Sequence, residues 1–315
     1  MVMKNKRFRR LFTTFLCTVL VVMLFPITAS ADTGPKPSVR ITFENLGDEL
    51  CYGTLLSKEE STGPSSAWNG NEEDARHNEN PSGHYDWKPF GYDVWKAFVD
   101  YAENDDFYFL QEAWQVNNTK ELAWTYYPPR EFKILLYFPE TKEYAVSDVY
   151  ERYAFDSYFT VNMDGVMLFA DYDEAMSSNE RINAWKSYNY RIEGTAFLSR
   201  ILITLLIEMV IALLFGFREK KQLLCLAGMN IATQIILNVL LNSIMHYSGQ
   251  IAFVIYYILF EAIVVLVEAA LLLVLINKIS EKPKKWWIMA AYALLANGAS
   301  FGLGLCLANW LPGIF

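Results

Sequence analysis

Histidine is scarce in this 315-residue sequence, and its scarcity removes the usual donors of a metal centre. The three histidines are His77, His84 and His246, and none belongs to an HExxH motif. His77 and His84 share a stretch with Asp74 and Asp86, but no cysteine or further histidine joins them. We therefore predict no metal ion and no cofactor. The sequence also shows no catalytic constellation to which a reaction could be assigned, so enzymatic activity stays open but is not expected.

Cysteine is as scarce as histidine, with Cys17, Cys51, Cys225 and Cys306 as the four examples. Only Cys51 lies between residues 32 and 194, so this part of the chain cannot form an internal disulfide bond. Its stability must come from a hydrophobic core, and 163 residues are enough to bury one. Because Cys51 precedes an apolar run, we expect it to be a small buried side chain rather than a reactive thiol.

Positive charge is sparse in the middle of the chain. Residues 32–194 carry 14 Lys/Arg against 30 Asp/Glu, whereas residues 195–315 carry eight against five. A nucleic-acid-binding protein would show the opposite bias, and neither a single soluble domain nor a disordered chain would be divided in this way. The acidic excess is explained by solubility outside the cell, although it could also attract Ca²⁺ or basic partners.

The first 31 residues have the pattern of a secretory signal. Five basic side chains and no acidic one precede an apolar run over residues 11–25, and Pro26 then breaks that run. Ala29-Ser30-Ala31 places small residues where a signal peptidase reads them. We expect cleavage before Asp32, with an uncleaved anchor as the alternative.

Residues 32–194 are predicted to form a β-rich, sandwich-like exported domain with one helix. Alternating apolar residues predict strands at 39–43, 51–56 and 132–138, and the last should form a hairpin with 144–146. Asp164-Gly165 predicts a second, tight hairpin between 158–163 and 166–170.

The single predicted helix covers residues 94–102, with Asp93 as its capping residue. Residues 58–91 are rich in Gly, Pro, Ser and Asn and are expected to form a long loop, which in a compact domain is often functional. Trp68 and Trp87 flank this loop, and exposed tryptophans are favoured recognition residues. They are our candidate ligand-binding residues. The alternative is that most of the aromatic side chains fill the core.

The last 120 residues predict an all-α bundle of four transmembrane helices, because each of four apolar stretches is long enough to cross a hydrocarbon core of ~30 Å. These spans cover residues 195–217, 222–245, 251–276 and 286–311. The loops after the first and third spans are basic, while the loop His246 to Gln250 has no Lys or Arg. The positive-inside rule places the basic loops in the cytoplasm and residues 32–194 and the C-terminus outside. A multi-pass protein of the plasma membrane is therefore expected.

Polar residues inside these predicted spans form a second set of candidates. They are Arg200, Glu208, Asn230, Gln234, Asn238, Glu261 and Glu268, and Asn242 continues the amide stripe of the second span. A charge at the bilayer centre costs about 2.5–3.5 kcal/mol on the insertion scale, so these groups should turn inward and find partners. We expect contacts of Glu208 with Asn230 or Gln234, of Glu261 with Gln234, and of Arg200 with Asn238 or Asn242.

Glu268 should lie near enough to the cytoplasmic edge to reach water. Gly298 and Gly302 form a GxxxG motif that could allow close helix approach. Two interpretations of the polar cluster stay open: a site for a cation, proton or polar solute, or hydrogen bonds that hold the bundle together.

Several segments carry a resemblance that covers most of the chain. They are ADTGPKPS at 31–38, STGP at 61–64, FYFLQE at 107–112, YYPP at 126–129, KILLYFPE at 133–140 and YERYAFDSYF at 150–159. In these the chain resembles the uncharacterised membrane proteins of Gram-positive anaerobic bacteria that have a signal peptide, a small exported domain and a C-terminal four-helix membrane bundle. The resemblance implies a compartment and a layout, and it carries no site residue.

Two functions follow as hypotheses. In the first, the extracytoplasmic domain binds a ligand or partner, such as a cell-envelope ligand or another membrane protein, and four helices anchor it in the lipid bilayer. In the second, the bundle is a small carrier, channel or proton-coupled subunit that acts through its intramembrane carboxylates. No nucleic-acid partner is expected.

Overall fold

A computed structural model describes residues 35–71, 74–75, 90–281 and 283–310, with side chains described as far as Leu303. The predicted signal peptide, His77, His84 and Trp87 lie outside the described residues. Residues from Pro35 onward cluster as one compact unit.

The described chain begins with strands and ends with long helices, which confirms a β-rich region followed by helices. The strands are β1 (Ser38–Glu44), β2 (Tyr52–Ser57), β3 (Ser61–Thr62), β4 (Ser65–Ser66), β5 (Tyr108–Phe109), β6 (Trp114–Gln115), β7 (Glu121–Trp124), β8 (Glu131–Phe138), β9 (Glu143–Glu151), β10 (Asp156–Asn162) and β11 (Ala184–Lys186). The helices are α1 (Tyr92–Ala102), α2 (Tyr172–Ser177), α3 (Tyr190–Leu214), α4 (Lys220–Ile279) and α5 (Trp286–Trp310).

Two sheets share one hydrophobic core. The first has the order β11-β10-β1-β7, and the second has the order β5-β2-β8-β9 with β6 also paired to β2. Strand β1 runs parallel to β10 and antiparallel to β7. The alternation of β1 turns Val39, Ile41 and Phe43 into the core, as period-two patterning requires. Across the core, the rings of Phe132 and Phe159 meet edge to face with centroids 5.7 Å apart.

A second core lies on the other face of the second sheet. Helix α1 covers that face with Trp95 and Phe98, which pack with Leu135 and Tyr137 of β8. Strand β8 is therefore buried on both faces, which its nearly continuous apolar sequence requires. Burial of each large side chain of α1 contributes about 1.5–3 kcal/mol, so the helix is held mainly by packing.

The hairpin of β8 and β9 is confirmed, but the hairpin predicted around Asp164-Gly165 is wrong. Residues 166–170 form only one isolated bridge, to Tyr144, although Gly165 does adopt a positive φ of 76°. Both edges of β10 are already occupied, by β1 on one side and β11 on the other, so no edge remains for a returning strand.

Two details of the predicted helix content are also wrong. The β-rich region has a second helix, α2, whose six residues are too few for a periodic signal and whose N-cap is the side chain of Asp171. The predicted capping residue of α1, Asp93, lies within its first turn, and the N-cap position is Gly91 without a side-chain bond.

Two helices in the described part of the chain are long and apolar enough to cross a membrane, whereas we expected four. They are α3 and α4. The predicted second and third spans lie together in α4, a segment of 60 residues. Gly249 interrupts α4 with a φ of 77° and a ψ of −175°, so the chain changes direction there.

The two ends of the helical region have different neighbours. At one end, the backbone N–H of Phe155 donates a hydrogen bond of 2.8 Å to the carbonyl oxygen of His246, which ties the β-rich region to the kink of α4. At the other end, Gln222 donates to Ser280 over 2.9 Å, and the backbone N–H of Glu281 donates to Glu219 over 3.1 Å. The two basic loops therefore lie together, away from the β-rich region.

Candidate functional site

A cavity of about 270 Å³ lies between the long helices. Helices α3, α4 and α5 all contribute to its wall, and α4 contributes residues from both sides of Gly249. The lining residues are Arg200, Ile203 and Thr204 of α3, Gln234, Leu237, Asn238, Leu241, Gln250, Phe253, Val254, Tyr257, Ile258 and Glu261 of α4, and Ser300 and Phe301 of α5. Because the exposed Gln250 lies next to the kink, the cavity begins on the side of the β-rich region and extends into the helices.

The cavity brings together groups of opposite charge. The guanidinium of Arg200 comes from α3 and the carboxyl of Glu261 from the second part of α4. Arg200 Nη1 donates to Asn238 Oδ1 over 3.4 Å, and Asn238 Nδ2 donates to the backbone oxygen of Gln234 over 2.9 Å. Most of the remaining wall is apolar, as at Leu237 and Phe253. The cavity thus offers one guanidinium group, one carboxyl group and three side-chain amides within a mainly apolar enclosure.

A buried polar layer adjoins the cavity, defined by Glu208, Asn230, Thr233, Glu268, Tyr292, Asn297 and Ser300. Glu268 accepts hydrogen bonds from Thr233 Oγ1 over 2.7 Å and from Asn297 Nδ2 over 2.6 Å. Ser300 links the layer to the cavity, because its hydroxyl lines the cavity and lies 3.3 Å from Glu208 Oε1.

The predicted polar residues are distributed between these two places. Arg200, Gln234, Asn238 and Glu261 line the cavity, and Arg200 contacts Asn238, one of its two expected partners. Asn230 faces Glu208 but makes no hydrogen bond of ordinary length and geometry to it. The expectation that Glu268 reaches water is wrong, since Glu268 is only 1% exposed. Its two donors come from neighbouring helices and enclose it.

Sequence reasoning missed four members of the polar layer: Thr233, Tyr292, Asn297 and Ser300. The signal was available for the last two, because Asn297 and Ser300 are polar residues three apart and hence share a face of an apolar helix. It also missed that residues 298–302, GASFG, match the GxSxG spacing. They lie inside α5, whereas a nucleophile of that motif requires a strand-to-helix turn, so Ser300 is a hydrogen-bonding residue here.

The GxxxG pair does not bring helices together within the described chain. A Cβ atom added at Gly298 or Gly302 would meet nothing within 4 Å, and both residues are exposed. The face of α5 that packs on its neighbours carries Tyr292, Ala293 and Ala296 instead.

Trp68, one of the two tryptophans proposed from the long loop, packs against the second core. Its ring meets Trp95 edge to face with centroids 5.1 Å apart, and its Nε1 donates to the backbone oxygen of Asn71 over 2.9 Å. Trp95 in turn donates to Gln111 over 3.1 Å. These contacts favour the alternative in which the aromatic side chains fill the core.

The β-rich region has a polar depression of its own, about 360 Å³ in volume. Its lining residues are Asn162, Asp164, Gly165, Val166, Asn179, Glu180, Arg181 and Asn183. Trp185 follows Asn183 by two positions and is 45% exposed. Trp185 lies in β11, which begins one residue after Asn183, and it is not itself a lining residue.

The Cys51 thiol is not a reactive centre, and the described residues contain no metal-binding cluster of several His, Cys, Asp or Glu side chains. Burial raises the pKa of Cys51 to about 12, with Glu49 adding to the rise, so the thiol is protonated at neutral pH. In the part of the chain that the structure describes, no group of three or more His, Cys, Asp or Glu side chains could hold a metal ion. Comparison of the chain with protein-family models, curated proteins and solved structures gives no match.

Proposed function

We propose that this protein is a multi-pass protein of the plasma membrane whose helices bind a small zwitterionic solute, as a small carrier would. The observation that carries the proposal is the cavity whose mainly apolar wall contains both Arg200 and Glu261. It favours the carrier hypothesis over a purely anchoring role for the helices, because hydrogen bonds alone would hold a bundle together without enclosing a space.

Four crossings are proposed, with the β-rich region outside the cell. The 60 residues of α4 would extend about 90 Å as one straight helix, three times the ~30 Å hydrocarbon core, so a single crossing does not suit it. The break at Gly249 divides it into two arms, each long enough to cross. Because the basic loops lie together at the end away from the β-rich region, the positive-inside rule assigns that end to the cytoplasm. The signal pattern at the N-terminus leads to the same orientation.

The chemistry of the cavity selects the class of solute. A carboxylate would bind the guanidinium of Arg200, and an ammonium group would bind the carboxylate of Glu261. Phe253, Tyr257 and Ile258 provide an apolar wall for the rest of the molecule. An amino acid with an apolar side chain has these three features, and about 270 Å³ is enough for one molecule of that size.

Binding of radiolabelled leucine to the purified full-length chain in detergent tests this proposal. We expect saturable binding that Arg200→Gln or Glu261→Gln reduces at least about tenfold, since each removes a charge-assisted hydrogen bond. Glu281→Gln is the matched control, because it removes a carboxyl group from a loop outside the cavity. Wild-type affinity in both cavity variants, or no binding of any apolar amino acid, would contradict the proposal.

The depression in the β-rich region supports a second candidate function, recognition of a cell-envelope ligand or of another membrane protein. The exposed ring of Trp185, two positions after the lining residue Asn183, suits a sugar or peptide surface. Binding of peptidoglycan fragments to full-length protein should weaken in Trp185→Ala and persist in Tyr108→Ala, which removes another exposed aromatic side chain. Equal binding by both variants would exclude this surface.

A further inference from the structure

The polar layer next to the cavity contains two carboxyl groups in a place where neither is solvated. Glu208 and Glu268 are each 1% exposed. The titratable groups that face Glu208 are Glu268, Glu261 and Tyr292, and no basic side chain is among them. Burying a carboxylate without a positive partner costs several kcal/mol, so each of these carboxyl groups either keeps its proton or takes up a compensating positive charge.

The two carboxyl groups differ in how well they are satisfied. Glu268 has Asn297 Nδ2 as a donor at one oxygen, over 2.6 Å. At its other oxygen lies Thr233 Oγ1, whose single hydrogen favours Glu268 at 2.7 Å over two backbone carbonyl oxygens at 3.1 Å. Glu208 has at most one donor at ordinary hydrogen-bond distance, the hydroxyl of Ser300. The single hydrogen of that hydroxyl can go either to Glu208 Oε1 over 3.3 Å or to the carbonyl oxygen of Asn297 over 3.0 Å. Glu208 Oε2 is buried and has no hydrogen-bond partner within the described residues.

Two neighbouring amide side chains also have a buried oxygen without a hydrogen-bond partner among the described residues. Asn297 Nδ2 lies 2.6 Å from Glu268 and 3.0 Å from the carbonyl oxygen of Ala293, and these two acceptors set the orientation of the amide. Its Oδ1 is buried and accepts no hydrogen bond from the part of the chain described here. Asn230 faces Glu208 and Tyr292 with its amide group, and neither the nitrogen nor the oxygen of that amide makes an ordinary hydrogen bond within the described residues.

We infer that the polar layer is a binding site for a monovalent cation of the sodium class, with Glu208 Oε2, Asn297 Oδ1, Asn230 Oδ1 and the Ser300 hydroxyl as its ligands. Carboxylate, amide and hydroxyl oxygens are hard donors, which suit a hard cation. A single unsatisfied carboxylate among neutral oxygens balances one positive charge rather than two. Glu268 and Thr233 are positioning residues, because they orient the amide of Asn297 without offering a free oxygen.

The site shares one ligand, the Ser300 hydroxyl, with the wall of the solute cavity, and its other ligands lie outside the cavity lining. Ser300 lines the cavity and contacts Glu208. A cation that draws the Ser300 hydroxyl oxygen toward itself would move a group on the cavity wall, so cation and solute binding should be coupled. The cation site itself does not rest on the proposed solute.

Thermal unfolding of the purified full-length chain in detergent tests the site. NaCl is replaced stepwise by choline chloride, while the ionic strength is held constant and the buffer is kept at pH 7.5. We expect a saturable rise of Tm with Na⁺, as binding to the folded state alone requires. Glu208→Gln should abolish that dependence, and Asn297→Ala should raise the apparent Kd for Na⁺ at least about tenfold. Glu281→Gln, which removes a carboxyl group from a loop outside both the polar layer and the cavity, should keep the dependence unchanged.

Several results would overturn the inference. They are a Tm that does not depend on Na⁺, an equal dependence in wild type and Glu208→Gln, and a stabilisation by Mg²⁺ or Ca²⁺ that exceeds the one by Na⁺. A Tm that follows pH but not Na⁺ would identify a proton as the compensating charge. If Glu208→Gln does not fold, the shift of Kd in Asn297→Ala decides the question. Failure of leucine binding together with a retained Na⁺ dependence would remove the solute proposal and leave the cation site.

Discussion

The ring of Phe155 lies directly on Gly249, the one residue of α4 that leaves helical geometry. A Cβ atom added to Gly249 would approach Phe155 Cε1 to 2.6 Å, closer than any real contact of that kind. The adjacent backbone bond from Phe155 to His246 holds the same two segments together. The β-rich region therefore packs on the kink that divides α4. A substitution at the kink must disturb both α4 and the contact with the β-rich region.

Gly249→Ala should destabilise the protein by about 1–3 kcal/mol, because the side chain strains a backbone with φ of 77° and also meets the Phe155 ring. The measurement is Tm of the full-length chain in detergent. Gly228→Ala is the control, since Gly228 lies within α4 with nothing within 4 Å of its added Cβ and should gain stability or stay neutral. Equal effects of the two substitutions would contradict the role of the kink.

The buried ion pair of Lys133 and Asp105 should be costly to break. Lys133 Nζ lies 2.7 Å from Asp105 Oδ1, and the two side chains are 8% and 0% exposed. We expect Lys133→Met to lower the free energy of unfolding by about 3–5 kcal/mol, because it leaves a buried carboxylate without a positive partner and with only the backbone N–H of Phe107 as a donor. Arg130→Gln, which breaks an exposed pair with Glu151, should cost about 0–1 kcal/mol. Chemical denaturation of the full chain compares them, and a small effect for Lys133→Met would refute the burial argument.

The Cys51 thiol should resist alkylation in the folded protein. Its ordinary pKa of 9.0 is raised to about 12, so between pH 9 and 12 it stays protonated when folded and would ionise when unfolded. This group therefore lowers the free energy of unfolding as the pH rises above 9, and it has no effect on that free energy below pH 9. Iodoacetamide labelling followed by peptide mass spectrometry should show slow modification at pH 9 and rapid modification in guanidinium chloride. Equally rapid labelling in both conditions would show an exposed thiol.

Trp68→Ala should reduce stability, whereas Trp185→Ala should not. Trp68 loses its edge-to-face contact with Trp95 and part of its burial in the second core, together worth about 1–3 kcal/mol. Trp185 is 45% exposed and loses little on truncation. Thermal unfolding of the two variants in detergent compares them. The opposite order of Tm would mean that Trp68 is free for ligand recognition, as the first sequence hypothesis held.

The proposed orientation predicts which engineered cysteines an impermeant maleimide can reach on intact cells. Asn179→Cys lies in the β-rich region and should be labelled from outside. Glu281→Cys lies in a loop at the far end of the helices and should be labelled only after the cells are opened. Labelling of Glu281→Cys in intact cells would show that the orientation is the reverse of the proposed one. Protection of Asn179→Cys in intact cells would show that the β-rich region lies inside.

Local patterns in the sequence predicted the larger divisions of the chain. The alternation of Val39, Ile41 and Phe43 predicted β1, and the apolar runs predicted the helical character of α3 and α4, because such patterns depend only on neighbouring residues. They did not predict that β1 pairs in parallel with β10, 118 residues away at Ser38 and Asp156. That pairing depends on which strand edges are already occupied, which no local pattern records, and the wrong hairpin at Asp164-Gly165 has the same cause.

Composition and periodicity are properties of the chain, so the amino-acid order alone specifies the acidic character of residues 32–194, the apolar character of the helices and the identity of the polar residues within them. The packing of the helices places Arg200 and Glu261 in one cavity and Glu208 and Glu268 in a layer beside it. It also decided that Asn297 orients toward Glu268. The physical reason is that a buried polar group is defined by what surrounds it, and its surroundings come from helices distant in sequence.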